Sequence, residues 1–333
     1  MENSEIKNKN QIAFFNIIKK SFSENTTLAN SVSDELGVGS DAAYRRIRGE
    51  KPLSFEETIK LCKRFKISFD MLIEGKNINL FDCVYRPIDL SIPNEYQNYI
   101  LALLNNFGKI KAAYNPSILM SAIDIPMFHL MFHKELIIFK LYTWAHSVYS
   151  YNGSLEDFIK EIETPEIISH YRKISGNYEH IPSSEIWTEN TINSTLRLIN
   201  YYFEIKMFPN KEYPLSLCKH VLDILDKLKD WTENGSKNDR KTPFQLYLSE
   251  IDFECSYVLI KHSGQSSCAI RLFGLNGLNV LDKEFCKETE QWLTKLSQRS
   301  VLLCGNSEKE RIKFFNTQRQ NVRFLMGKIQ KSF

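Results

Sequence analysis

The side chains most committed to chemistry in this chain are cationic and crowded together. Arg45, Arg46 and Arg48 fall within four positions and Lys51 follows, so residues 41–51 hold four basic groups against the two acids Asp41 and Glu50. Arginine carries a planar, permanently charged fork that matches a phosphate or the edge of guanine better than lysine's point charge does. That is chemistry for gripping a polyanion. Other candidates are weaker. His129 and His133 stand four apart, the spacing of a zinc-protease pair, but Leu130 occupies the place where that chemistry needs glutamate. They read as core or pocket histidines. The seven cysteines, at 62, 83, 218, 255, 268, 286 and 304, are scattered singly, as reduced buried thiols are and paired zinc ligands are not. Gly274-Leu275-Asn276-Gly277 reads as a turn. The sequence holds no nucleophile elbow and no phosphate loop. No catalytic residue, metal or cofactor is therefore expected, and the chain is not expected to be an enzyme.

The basic cluster needs a support. Leu28, Val32 and Leu36 recur at i, i+4 and i+8, which lines one face of a short helix. Gly37-Val38-Gly39 breaks it, and Ser40 is placed to cap the next helix, whose Ala43 and Ile47 point inward. Three guanidinium groups so closely spaced cannot all face inward, so at least two are presented to solvent. Gly49 ends this helix. Pro52 and the capping box Ser54-Phe55-Glu56-Glu57 start another, with Ile59, Cys62 and Phe65 on its buried side, and Ile67, Phe69, Met71 and Leu72 close the core. Two short helices joined by a tight glycine turn, the second one basic, are the parts of a helix-turn-helix reader. A rigid helix of two or three turns fits the major groove, where base edges display a distinct pattern of donors and acceptors.

Leu36-Gly37-Val38 resembles the turn, and Arg46-Ile47-Arg48-Gly49 the recognition-helix end, of the lambda-repressor-like (Cro-type, XRE) helix-turn-helix domains of bacterial and phage regulators. The longer run from Ala42 to Glu56 is similar to a group of bacterial regulators with a long C-terminal region. The resemblance to the DNA-binding family covers about the first 75 residues. It implies a five-helix DNA-binding domain with double-stranded DNA as partner. Ser40, Asp41, Tyr44 and Arg45 would fall near the base-reading positions, Arg46 on the same helix, and Arg48 and Lys51 against phosphates. Ser33 stands where the family usually has alanine. One residue is inserted between Gly37 and Ile47, which leaves either Ala43 or Tyr44 in the usual buried position. A reading head this small gains specificity by pairing on two half-sites roughly 34–36 Å apart, so a homodimer is expected.

The chain has 333 residues and a formal net charge of +3, too little charge to demand a polyanion partner except locally. Glycine (13) and proline (10) are scarce, which argues against a turn-rich all-β fold. No apolar run reaches the roughly 18 residues of a membrane span, and Met1 to Lys7 carries no secretory pattern, so a cytoplasmic location is expected. Residues 76–235 read as helical: Tyr96, Ile100, Leu103 and Phe107 share one face, as do Leu217, Val221, Ile224, Leu228 and Trp231. Aromatics here, Trp144, Tyr201 and Tyr202 among them, fill helix interfaces or line a ligand pocket, the former being the commoner use. Residues 232–243 have no apolar side chain except the proline ring and read as a loop or linker. Beyond it, the alternation of Ile251, Phe253, Cys255 and Tyr257 marks a strand, and 240–333 a small α+β unit. The expectation is thus a mainly α protein in three parts: a DNA-binding domain at 1–75, a helical dimerisation or sensor region at 76–235 that answers a small-molecule or protein effector, and the C-terminal α+β unit at 240–333. The alternative is a helix-turn-helix head tethering an enzyme or an antitoxin-like protein-binding scaffold.

Overall fold

The structure is a computed structural model that describes residues 2–20, 28–65, 67, 83–85, 87–90, 92 and 94–331. The chain divides into two compact units, Met1–Leu80 and Phe81–Phe333.

The first unit contains α1 (Glu2–Lys20), α2 (Leu28–Leu36), α3 (Ser40–Ile47) and α4 (Phe55–Phe65). These are four helices among the described residues, not the five expected, and Phe69, Met71 and Leu72 lie outside the described residues. Phe14, Phe15, Ile18, Val32, Ala43, Leu61 and Ile67 form the core. The open choice at the inserted residue falls on Ala43, which is fully buried, while Tyr44 faces water. On α4 the structure buries Leu61 and exposes Ile59. Cys62 and Phe65 pack on the core as expected, and Leu61 takes the inward place expected of Ile59.

The second unit overturns the mainly α reading. One mixed sheet of eight strands runs through it, in the order β1 (Cys83–Tyr85), β7 (Asn276–Val280), β6 (Gln265–Phe273), β5 (Tyr257–His262), β2 (Ser117–Ala122), β3 (Ser183–Trp187), β4 (Phe244–Leu248), β8 (Val301–Leu302). The strands come from both the expected helical region and the expected C-terminal unit, so the latter is not a separate small α+β unit. β2, β3 and β4 are parallel; the remaining pairs are antiparallel. Alternate residues of these strands feed two cores, as the two-residue period of a strand requires. Ile118 and Met120 of β2, Trp187 of β3 and Phe244 and Leu246 of β4 enter a large core shared with most helices. Leu119, Ile186 and Tyr247 face a smaller one under α12 (Lys283–Gln298). The helices of the large core include α5 (Glu95–Ala112), α6 (Met127–Leu130), α7 (Lys134–Val148), α8 (Leu155–Ile162), α9 (Pro165–Glu179), α10 (Asn190–Glu204), α11 (Glu212–Asn234) and α13 (Glu308–Lys331).

The strand expected at 251–257 is a connection instead, and pairing starts only at Tyr257, opposite Ser121. Residues 249–256 carry the chain across the carboxyl ends of β3 and β2, from β4 to β5. Hydrogen bonds along the way mark the route: Ser249 N–H donates to the Trp187 carbonyl (2.8 Å), and the Ser256 side-chain Oγ accepts from Ile123 N–H (3.1 Å). The polar stretch at 232–243 is equally built in, because Lys237 within it is fully buried. None of the described helices is long and apolar enough to cross a membrane.

Candidate functional site

In the first unit, a three-residue turn sets α2 against α3. Gly37 adopts φ +62°, a conformation that a side chain disfavours. Val38 N–H returns to the Ser33 carbonyl (3.1 Å), and Ser33 Oγ donates to the Val38 carbonyl (2.5 Å). The serine where alanine is usual thus ties the turn a second time. The N-cap of α3 is Gly39, which has no side chain to offer, so Ser40 is the first helical residue and not the cap. At the other end Gly49 (φ +75°) closes a Schellman motif: Gly49 N–H reaches the Arg46 carbonyl (3.0 Å) and Glu50 N–H the Arg45 carbonyl (2.8 Å). Gln11 of α1 braces this end. Its amide donates to the carbonyls of Arg46 (2.7 Å) and Lys51 (2.8 Å) and accepts from Leu53 N–H (3.0 Å).

The expected DNA-facing residues separate into two groups. Ser40, Asp41, Tyr44, Arg45, Arg48 and Lys51 are exposed. The Arg45 and Arg48 side chains are 60% and 61% accessible, and each approaches Glu50, at 3.9 and 2.9 Å. Exposed pairs of this kind are worth little and yield readily to a stronger anion. Arg46 is the exception, at 4% exposure. Its guanidinium makes a fork-to-fork contact with Glu57 (2.6 and 3.2 Å) and donates to the Ala42 carbonyl (3.1 Å). The inclusion of Arg46 among the DNA-facing residues is therefore corrected: it follows Ala43 by three on the buried side of α3. Glu57 serves twice, since it also completes the capping box, accepting from Ser54 N–H (3.0 Å) while Ser54 Oγ accepts from Glu57 N–H (3.1 Å). The hydrogen bond from Arg46 holds the Glu57 carboxyl below its ordinary range.

The second unit holds polar groups that the sequence reading passed over. Glu185 on β3 is completely buried. His129 Nε2 lies 2.8 Å from its Oε1, Trp187 Nε1 donates to its Oε2 (2.8 Å), and the Tyr178 hydroxyl donates to Oε1 as well. His129 is thus a satisfied core histidine. Beside it, Lys237 Nζ donates to the carbonyls of Tyr178 and Ile181 (2.7 Å each) and sits 3.4 Å over the Tyr178 ring. It caps the C-terminal end of α9, where carbonyls lack helical partners, and burial pushes its ammonium down to about 7.

A cavity of about 420 Å³ opens at the carboxyl end of β2, with Asp124, Lys140, Trp144, Tyr201, Tyr202 and Arg271 among its walls. Lys140 Nζ pairs with Asp124 Oδ2 (2.5 Å), and Thr195 Oγ1 donates to Oδ1 (2.8 Å). Burial opposes ionisation of Asp124, yet Lys140 and Arg271 hold it below its ordinary range. Trp144 Nε1 is buried with no hydrogen-bond partner among the described residues.

His133, the other half of the sequence pair, turns away from His129 and lies against His220 of α11, ring centroids 4.6 Å apart. His220 Nε2 is 3.3 Å from Glu135 Oε2, and its Nδ1 is 3.6 Å from Asp223 Oδ2. The hydrogen bond with Glu135 raises His220 and draws Glu135 down to about 2, whereas burial and the neighbouring His220 push His133 down to about 4. The i, i+3 spacing of His220 and Asp223 is visible in sequence; its meeting with His133 is not. No family model, curated protein or solved structure matches the chain.

Proposed function

We propose that this chain is a cytoplasmic bacterial transcriptional regulator whose first unit reads double-stranded DNA with α3. One observation carries the reading. α3 is a two-turn rod whose Ala43 and Arg46 are locked into the unit's interior, while Ser40, Asp41, Tyr44, Arg45 and Arg48 are exposed to water on the opposite side, the two arginines held only by surface pairs with Glu50. A helix held rigidly by one side, with its guanidinium groups in water on the other, is what entry into the major groove requires. In this reading Ser40, Asp41, Tyr44 and Arg45 approach base edges, Arg48 and Lys51 grip phosphates, and Arg46 fixes the rod to α4. The resemblance to lambda-repressor-like readers over about the first 75 residues supports the same assignment.

In this reading the second unit dimerises the chain and receives an effector, and its cavity beside Trp144 supports the effector part of that role. Asp124 and Lys140 neutralise each other there, which leaves neither as a free acid or base and favours binding over catalysis. The test is a mobility-shift titration of the full chain on random-sequence and selected duplexes at two salt concentrations. Arg45→Ala is expected to lose preference between duplexes. Lys51→Ala is expected to weaken both alike and flatten the salt dependence by about one unit of slope. Binding unchanged in both variants would overturn the assignment.

A further inference from the structure

We infer a site for one divalent transition-metal ion, of the zinc type, in the second unit, built from His133, His220 and Asp223. It lies where α7 meets α11 and stands independently of the DNA-binding reading.

The observation behind it is a nitrogen with nothing to bond to. His220 Nδ1 is buried and makes no hydrogen bond among the described residues. Its neighbour Asp223 Oδ2 is 3.6 Å away, beyond hydrogen-bond reach. Two ligands of one tetrahedral ion with bonds of ~2.0–2.1 Å are separated by about 3.3 Å. The pair is therefore spaced for a shared cation and too wide for a shared proton. One ligand-capable atom from each of His133, His220 and Asp223 lies within 4.8 Å of the others, so small side-chain rotations bring three ligands onto one ion and leave its fourth position open. That is the ligand number of an exchangeable rather than a closed structural site.

The surroundings fit. Glu135 Oε2 sits 3.3 Å from His220 Nε2, the carboxylate behind the imidazole that fixes the tautomer and aims the other nitrogen at the metal. Asp223 and Glu135 bring two negative charges. The nearby ammonium groups of Lys227 and Lys134 are already paired, with Glu179 and Glu163 (2.5 Å each). Lys227 also lies over the Phe132 ring. Two imidazole ligands select zinc, nickel, cobalt or copper over calcium and magnesium, which take oxygen. The competing state is an imidazolium at His220 that keeps its proton on Nδ1, bonded to Glu135 through Nε2 and attracted to Asp223 only through space.

The test is calorimetric titration of Zn²⁺ into the metal-stripped full chain near neutral pH. The expected result is saturable binding of one ion per chain, with Ca²⁺ and Mg²⁺ giving none. His133→Ala and Asp223→Asn should each weaken zinc at least about tenfold, and Glu135→Gln about 10- to 100-fold, while His180→Ala, outside the cluster, changes nothing. Absence of saturable binding, or affinity retained in the His133→Ala/Asp223→Asn double variant, would overturn the site. Should a variant fail to fold, the imidazole nitrogen resonances of the unaltered chain decide. Zinc must shift two histidines, and shifts traced to His133 and His220 support the site, whereas shifts confined to other histidines refute it.

Discussion

Arg46 and its neighbours Arg45 and Arg48 share a side-chain type, yet their positions on one helix give them different work. Three residues beyond Ala43, Arg46 is carried to the buried side of α3 and meets Glu57, whereas Arg45 and Arg48 are carried to water. Arg46→Ala is expected to destabilise the first unit by about 1–2 kcal/mol, because the buried guanidinium's packing and its fork-to-fork contact with the half-buried Glu57 are both lost. All four tryptophans, at 144, 187, 231 and 292, lie beyond residue 80, so amide hydrogen exchange across residues 28–65 is the measurement that sees this loss. Glu57 adds a pH dependence. Its folded-state value is depressed below the ordinary 4.5, so its stabilisation is complete above that value and disappears as pH falls through the folded one. Exchange rates in α3 and α4 should rise as pH drops below about 4.5 beyond the intrinsic trend, and Glu57→Gln should flatten that rise. Lys237 gives the opposite kind of test. Held near 7 when folded, it releases its proton more easily in the native state, so its contribution to stability grows between about pH 7 and its unfolded value near 10.4. Lys237→Met should lower stability by roughly 2–4 kcal/mol by stripping two buried carbonyls of their donor. The difference from the unaltered chain should widen as pH rises from 7 to 10, read by tryptophan fluorescence in urea. Sequence spacing shows which side of α3 Arg46 takes once Ala43 is fixed. It gives no hint of Lys237, since a stretch without apolar side chains reads as solvent-exposed.

At the scale of elements, the turn between α2 and α3 was legible because glycine and helical periodicity are local signals. Gly37→Ala meets no neighbouring atom, so its expected cost is the left-handed backbone alone, about 1–2 kcal/mol, again seen as faster exchange in α2 and α3. The sheet was much less legible. β2 is buried on both faces, and its run Ser117-Ile118-Leu119-Met120-Ser121-Ala122 lacks the alternation that distinguishes a half-exposed strand from a helix. β3 contains Ser183, Ser184 and Glu185, polar residues whose partners are Tyr178 on the preceding α9, Gln245 on β4 and His129 on α6, the last two distant in sequence. The error at 251–257 has the converse cause. An alternating segment without a neighbouring strand to bond is a connection, and pairing is not written in any single segment. The β5–β6 hairpin rests on a local signal, since Ser263 and Gly264 (φ +49° and +73°) make a two-residue turn between strands that pair with each other.

At the scale of the molecule, the sheet makes residues 81–333 one cooperative body, since β4 and β8 complete what β2 and β3 begin. A chain ended at Thr242 would leave β2 and β3 without their flanking strands β5 and β4, and is expected to lose cooperative tryptophan-monitored unfolding; a sharp transition retained in that truncation would contradict the shared sheet. The first unit is a compact body of its own, and under the proposed DNA-reading role its small size is the reason a pair of such units is expected on DNA. Repeated selection of random-sequence duplexes by the full chain, followed by footprinting, addresses the central claim directly. The expected outcome is an enriched two-fold sequence with half-sites about 10–10.5 base pairs apart, whose preference vanishes in Arg45→Ala. Recovery of an unenriched pool, or of the same sequence with Arg45→Ala, would contradict it.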